Sequence, residues 1–341
     1  MLLPLVATRN SNLAKPARPT RSRSRALGRI AISLGDPAGI GPEIVLKALA
    51  ARPSLNDRCT VFGSASVIAA TAESLGLPLP QRIEAITHLS DEPIETGVES
   101  RASGAQAYAA ITAATGQVLA GQAAALVTAP ISKRALNLAG HHWPGHTELL
   151  AELAGGCPVR MMLANPTLRV VLVTVHQPLR EALAAITVDR ILQTLQITDR
   201  SLRPALGRQP RLWVAGLNPH AGEGGLLGRE EIDLIGPAVE AARAQGMNVE
   251  GPAPPDTVFM RARGLKACDA VIAMYHDQGL IPVKYLGVDD GVNVTLGLPF
   301  VRASPDHGTA FDIAGRGIAR PDSLLAAIRL AGQWSRLARP E

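Results

Sequence analysis

From residue 30 onward, short apolar runs alternate with longer segments of helical pattern. "RIAISLG" precedes "GPEIVLKALAA", "CTVFG" precedes "SASVIAATAESLG", and "AALVTAP" precedes "ISKRALNLAG". Farther along come "RVVLVTVH", "RLWVAGLNPH" and "DAVIAMYHD", with "REEIDLIGPAVEAARAQG" between the last two. Continuous apolar runs separated by amphipathic segments predict a largely parallel sheet covered by helices on both faces, an α/β protein. Residues 99–120, "ESRASGAQAYAAITAATGQVLA", predict one long Ala-rich helix. Residues 288–317 carry too many glycines and turn residues for one regular element, so loops and short strands around a site are expected there. "PDSLLAAIRLAGQW" predicts a closing helix with Asp322 or Ser323 as its cap. At 341 residues the chain exceeds what one core usually organises, which implies two domains or one large α/β domain.

Composition narrows the classes. Hydrophobic residues make up 47% and charged residues 18%, an ordinary globular mixture. The net charge of +5 suggests nucleic acid until its location is considered. Residues 1–29 hold seven of the 34 basic residues and no acid, leaving 27 basic against 29 acidic residues in the remainder. That segment has no periodicity and too little apolar content to offset the entropy of ordering it, so a disordered basic extension is expected. Its Arg and Ser content faintly resembles an organelle transit peptide; the plainer reading is a start placed too far upstream. With only 3% aromatics and a near-neutral body, no nucleic-acid partner is expected. No run of eighteen apolar residues offers a membrane span, and "MLLPLVA" lacks the pattern of a secretory signal. Cys59, Cys157 and Cys268 are odd in number and far apart, which fits a reducing cytoplasm and neither a disulfide framework nor a thiolate metal site.

Three apolar runs end in histidine: His176 after "VVLVTV", His220 after "LWVAGLNP" and His276 after "DAVIAMY". Ligands of open parallel sheets bind outside the carboxyl ends of strands, so these imidazoles could meet at one divalent metal with an open position. Taken singly, each reads more simply as a hydrogen-bonded histidine at a loop start; their repetition favours a shared site. Asp277 could orient an imidazole by accepting its second N–H, or simply open a loop; Asp256 in "PPDTVF" has the same two readings. "PGHTELLAEL" places Gly145, His146 and Thr147 before a helical run, a natural anion site or an ordinary Thr cap. Lys284, Asn293 and Arg302 lie in turn-rich sequence and could donate to phosphate oxygens. "LGDPAGIGPEI" supplies GxG at Gly39 and Gly41, but Ile44 stands where the third glycine of the dinucleotide fingerprint belongs, and no Walker motif occurs.

Together, "ISLGDPAGIGPEI", "TAPISK", "GHTELLAE", "LNPHAGEGG", "YHDQGLIPVK" and "GVNVTLGLPFVRASPDHGTAFDIAGRG" resemble the 4-hydroxythreonine-4-phosphate dehydrogenase family of pyridoxal 5′-phosphate biosynthesis, from about residue 30 to the end. Residues 1–29 have no counterpart in it. The resemblance implies two α/β/α domains with a cleft, like isocitrate and isopropylmalate dehydrogenases. It also implies a homodimer with active sites shared between subunits, and NAD or NADP bound without the glycine fingerprint. The first domain is placed at 30–130 plus 295–341 and the second at 131–294. Carried over by position, the family's metal ligands fall on His176, His220 and His276, for one divalent ion (Zn, Mg or Co) per site. Its substrate-binding residues fall on His146, Thr147, Lys284, Asn293 and Arg302, and its two site-supporting acids on Asp256 and Asp277. "TVHQPLR" departs from the family pattern only beside the ligand. The implied reaction is oxidation of 4-phosphooxy-L-threonine followed by decarboxylation. Its rivals are oxidation of 4-phospho-threonate or 4-phospho-erythronate, oxidation of a terephthalate cis-dihydrodiol, and non-catalytic binding of metal or phosphate.

Overall fold

The computed structural model describes residues 28–86, 93–287 and 289–337. Most of the basic extension, residues 1–27, lies outside them. The described residues form one eleven-stranded sheet: β1 (Ile30–Ser33), β2 (Cys59–Gly63), β3 (Ile83–Ala85), β4 (Ala125–Thr128), β5 (Arg160–Ala164), β6 (Arg169–Leu172), β7 (Arg211–Ala215), β8 (Asn248–Ala253), β9 (Ala270–Ala273), β10 (Val292–Leu296) and β11 (Val301–Pro305). Across the sheet the order is β3-β2-β1-β4-β11-β10-β5-β6-β9-β7-β8. Most neighbours are parallel, as the apolar runs predict. The exceptions sit together in the middle, where β10 is antiparallel to both β11 and β5, and β5 to β6. The parallel strands on either side of this seam therefore run in opposite senses.

Helices α1 (Gly41–Ala51), α2 (Ala65–Leu75), α3 (Arg101–Leu119), α4 (Lys133–Leu138), α5 (His146–Leu153), α6 (Leu179–Ala184), α7 (Val188–Leu206), α8 (Gly236–Ala244), α9 (Pro255–Ala262), α10 (His276–Tyr285) and α11 (Asp322–Leu337) cover both faces. Several start as local chemistry dictates. The hydroxyls of Ser64, Ser100, Ser132 and Thr187 accept from the N–H three residues on, which satisfies a donor the first turn would leave open. The closing helix departs from expectation. The Ser323 hydroxyl accepts from the Asp306 N–H and donates to the Gly291 carbonyl, and Asp322 accepts from Arg320. Two loops are thereby pinned against α11, and neither side chain serves as a cap.

The two faces are covered differently. On one, a single continuous core joins Ile30, Val127, Val294, Val171, Ile272 and Val214 of the strands to α1, α7, α8 and α11. The other carries two separate clusters. Ala31, Phe62 and Leu126 pack with Ile111, Leu149 and Leu150 of α3 and α5. Leu163, Val170, Leu172, Trp213 and Val271 pack with Phe259 of α9 and with Leu280 and Val283 of α10. A cleft lies between these clusters, over the antiparallel seam. Of the boundaries expected from the sequence, residue 130 falls just past β4 and residue 294 inside β10.

The loop between β1 and α1, which carries the incomplete glycine fingerprint, is closed on its neighbours' backbone. Asp36 N–H donates to the Pro130 carbonyl and Ile40 N–H to that of Thr309. A Cβ at Gly35, where φ is +76°, would stand 2.3 Å from the Pro130 oxygen. These glycines permit close packing. Gly104 does the same between α3 and α4, where a Cβ would fall 2.0 Å from the Ala135 carbonyl oxygen. Gly104→Ala gains helix propensity worth about 1 kcal/mol, yet must separate two packed backbones at about 1–3 kcal/mol. Net destabilisation is expected as a lower urea midpoint at unchanged slope.

Candidate active site

Strand alternation builds the floor of the cleft. Arg302 pairs with Leu126 and with Thr295, Asn293 with Ser304, and Met161 with Thr295, so these side chains share one face. Thr128, two residues past Leu126, shares it too. The cavity above has a volume of about 600 Å³, within the range of small-ligand sites. His146 and Thr147 at the start of α5 line it, as do Lys133, Arg190, His176, His276, Lys284 and Asp306.

Its charge is one-sided. Lys133, Arg160, Arg190, Lys284 and Arg302 line it against Glu148 and Asp306. Arg302 is only 2% exposed. It donates to the hydroxyls of Thr128 at 2.6 Å and Thr295 at 3.0 Å, while its Nε finds no partner. Among the described residues it forms no salt bridge. Burial pushes its pKa down to about 9, opposed by the charge of Glu148, so the guanidinium remains cationic at neutral pH. The Nε2 of His146 is also buried without a partner. Burial, and next the charge of Arg302, hold that imidazole well below its ordinary pKa, hence neutral. The cap position of α5 is Gly145, and no side chain accepts from the first turn, so Thr147 does not act as a cap. Lys284 Nζ lies 3.2 Å from Asp306 Oδ2, a charge contact whose angles fall outside hydrogen bonding, and the Asn293 Oδ1 is unpaired. Buried donors and acceptors without partners cost free energy, and an oxyanion with hydroxyls would satisfy them.

The histidines divide. The strands β6, β9 and β7 are neighbours in the sheet and mutually parallel, so the segments carrying His176, His276 and His220 leave from one edge. The rings of His176 and His276 stand 5.5 Å apart between centroids. His276 Nδ1 lies 2.7 Å from Asp277 Oδ1; a carboxylate can only accept, which leaves the Nε2 lone pair free. Burial first, then Lys133 and His276, lower the pKa of His176, favouring the neutral form that binds metals. This pair with its outer carboxylate fits two ligands of a divalent cation. His220 is exposed and does not line the cleft, and no three metal-binding side chains converge among the described residues of a single chain. Asp256 and Asp277 face a second hollow beside Pro219, Tyr275 and Tyr285.

Sequence reasoning missed Thr128, Lys133, Arg160, Arg190, Ser304 and Asp306. A signal existed for two of them: Thr128 ends the fully buried strand "ALVT" in a hydroxyl, and Ser304 places one within the largely buried "VRASP". Lys133 closes "TAPISK", directly after the Ser132 cap.

A family model described as "Pyridoxal phosphate biosynthetic protein PdxA" matches residues 52–331. The chain belongs to the PdxA family. A 4-hydroxythreonine-4-phosphate dehydrogenase of Beijerinckia indica subsp. indica is 49% identical over 320 residues, covering 89% of this chain and 94% of the relative. A D-threonate 4-phosphate dehydrogenase of Pectobacterium atrosepticum is 43% identical over 324 residues, covering 89% and 98%. The crystal structure of 4-hydroxythreonine-4-phosphate dehydrogenase from Klebsiella pneumoniae superposes with a TM-score of 0.82 at 42% identity, covering 90% of this chain and 99% of that one. The seamed α/β sheet is thus the fold of PdxA proteins, and the expected family membership holds.

A buried guanidinium without an acid partner makes a defined prediction for this PdxA site. Inorganic phosphate should raise the wild-type Tm, by a free energy of about 2.7 kcal/mol at a hundred times Kd. Arg302→Met should leave the phosphate-free protein no less stable, since an uncompensated buried charge is removed, and should abolish the phosphate-dependent gain. Differential scanning fluorimetry checks both.

Proposed function

We propose that the chain oxidises 4-phosphooxy-L-threonine at C3 with NAD⁺ or NADP⁺ to 2-amino-3-oxo-4-phosphooxybutanoate, which loses CO₂ to give 3-amino-2-oxopropyl phosphate for pyridoxal 5′-phosphate synthesis. The observation that carries this reading is that one cavity unites an unpaired buried cation with two adjacent imidazoles. The first suits a phosphate and the second a metal, and a phosphorylated amino alcohol needs both. On this reading Arg302, Lys284, Asn293, His146 and Thr147 bind the phosphate, and binding at that remote end orients the reacting carbon. His176 and His276 hold one divalent ion (Zn, Mg or Co) with His220 as the third ligand, and Asp277 keeps the His276 ring in the ligating tautomer. The ion would supply Lewis acidity, easing proton loss from the C3 hydroxyl and polarising the later ketone; the nicotinamide would accept the hydride. Asp256 and Asp277 support the site from the outer hollow.

Since His220 does not reach the cleft of its own chain, a homodimer with shared sites is part of the proposal. Apolar side chains near the His220 loop favour a covering partner: Leu226 is 81% exposed, Met260 70%, Ile281 64% and Tyr285 90%. The two α/β/α domains would be residues 30–130 with 295–341, and 131–294, meeting at the cleft. No described helix is long and apolar enough to cross a membrane, and the proposed pathway role is cytoplasmic.

The D-threonate 4-phosphate dehydrogenase relative favours one second reading, oxidation of a 4-phosphorylated sugar acid such as 4-phospho-threonate or 4-phospho-erythronate. Purified protein assayed for NADH or NADPH by absorbance should turn over 4-phosphooxy-L-threonine with higher kcat/KM than 4-phospho-threonate. Chelator should abolish turnover and added divalent metal restore it. A preference for the sugar acid establishes the second reading, and no reduction with either substrate rejects both.

A further inference from the structure

The loop that would deliver His220 is held in a conformation its residues disfavour. His220, Ala221, Gly222, Glu223 and Gly224 have φ of 52°, 56°, 79°, 46° and 67°, a continuous left-handed turn. Three of these are not glycine, and an L-residue there costs roughly 1–2 kcal/mol. Such a turn persists only where its surroundings over-determine it.

Here the surroundings converge on one carboxylate. Glu231 is 4% exposed. Its Oε1 accepts from the backbone N–H of Leu217 at 2.6 Å and of Asn218 at 2.7 Å, and its Oε2 from Asn218 Nδ2 at 2.9 Å. Gly222 packs directly on the same group, where a Cβ would stand 2.7 Å from Oε2. The base of the loop is tied to the other ligand segment as well. Gln278 Nε2 donates to the Gly216 carbonyl at 2.7 Å while its Oε1 accepts from Met274 N–H at 2.7 Å, two residues before His276. Glu231 therefore grips the segment that leads into the turn and the middle of the turn itself, on a base already tied through Gln278 to the segment that carries His276.

We infer that Glu231 is a positioning residue: its buried carboxylate holds the left-handed turn that aims His220 at the divalent cation. This rests on the proposed role of His220 as the third ligand. A buried acid that touches neither substrate nor metal is otherwise unaccounted for by the reaction. Gln at this position keeps an oxygen for the Leu217 and Asn218 N–H groups but turns an NH₂ toward the Asn218 amide, so it should hold the turn imperfectly.

The test measures Zn²⁺ affinity by chelator competition on the full chain, with thermal unfolding of the same samples and hydrogen exchange at Leu217 and Asn218. Against wild type, Glu231→Ala should lose affinity by about 10–100-fold, the range for outer-shell changes, and His220→Ala, which removes the ligand itself, by at least as much. Glu231→Gln should recover most of that loss, and exchange at Leu217 and Asn218 should quicken in Glu231→Ala. If His220→Ala loses Zn²⁺ while Glu231→Ala binds within two-fold of wild type, the positioning role is overturned and the ligand role stands. If His220→Ala binds Zn²⁺ as wild type does, the ligand role fails and this inference with it. Should Glu231→Ala not fold, Gly222→Ala disturbs the same cradle without stranding a charge; it should show the same loss, and unchanged affinity would overturn the inference.

Discussion

A guanidinium buried in the floor of the cleft, with no salt bridge among the described residues to hold it, is the constraint to which the rest of the structure answers. Burying an unpaired charge is costly, and folds ordinarily avoid it. Here Arg302 is fixed by two threonine hydroxyls from neighbouring strands, beside a neutral His146 and an unpaired Asn293 oxygen. The arrangement makes sense as a partly desolvated seat for an anion, assembled before the anion arrives. Preorganisation of this kind moves the cost of ordering into folding and out of binding.

The sheet makes room for that seat by its antiparallel seam. On one face the core runs unbroken from β1 to β7 and supplies most of the burial. On the other, the helices pack as two groups, and the strip between them is floored by Thr128, Met161, Asn293, Arg302 and Ser304. Because the parallel sets run in opposite senses, α5 and α10 approach the strip from either side. His146 and Thr147 stand at the start of one, His276 at the start of the other. Stability and chemistry are thus assigned to opposite faces. The proposed phosphate end and the proposed metal end of the site each have one of these helix starts beside them.

Much of this was legible along the chain. The apolar runs that end in histidine do leave from one edge of three adjacent strands, and the Ala-rich segment is helix α3, nearly as bounded. Family motifs placed seven residues that the cleft unites: His146, Thr147, His176, His276, Lys284, Asn293 and Arg302. The seam was not legible, because β10 pairs with β5 across some 130 residues of sequence and register has no local signature. Arg302 reads as a loop cation until β11 is known to be a strand; only then does alternation turn it inward. The closing helix misled for a similar reason: Ser323 is spent on loops distant in sequence. The turn at His220 runs against propensity at three non-glycine positions, so nothing local announces it.

Everything proposed about chemistry turns on whether separate imidazoles grip one cation beside the anion seat. Anomalous diffraction at the zinc edge, from crystals of the full chain grown with Zn²⁺, addresses that most directly. The account expects one peak per cleft at roughly 2.0–2.1 Å from ring nitrogens of His176, His276 and a His220. A cleft without a peak, or a peak bound elsewhere without these rings, would contradict it.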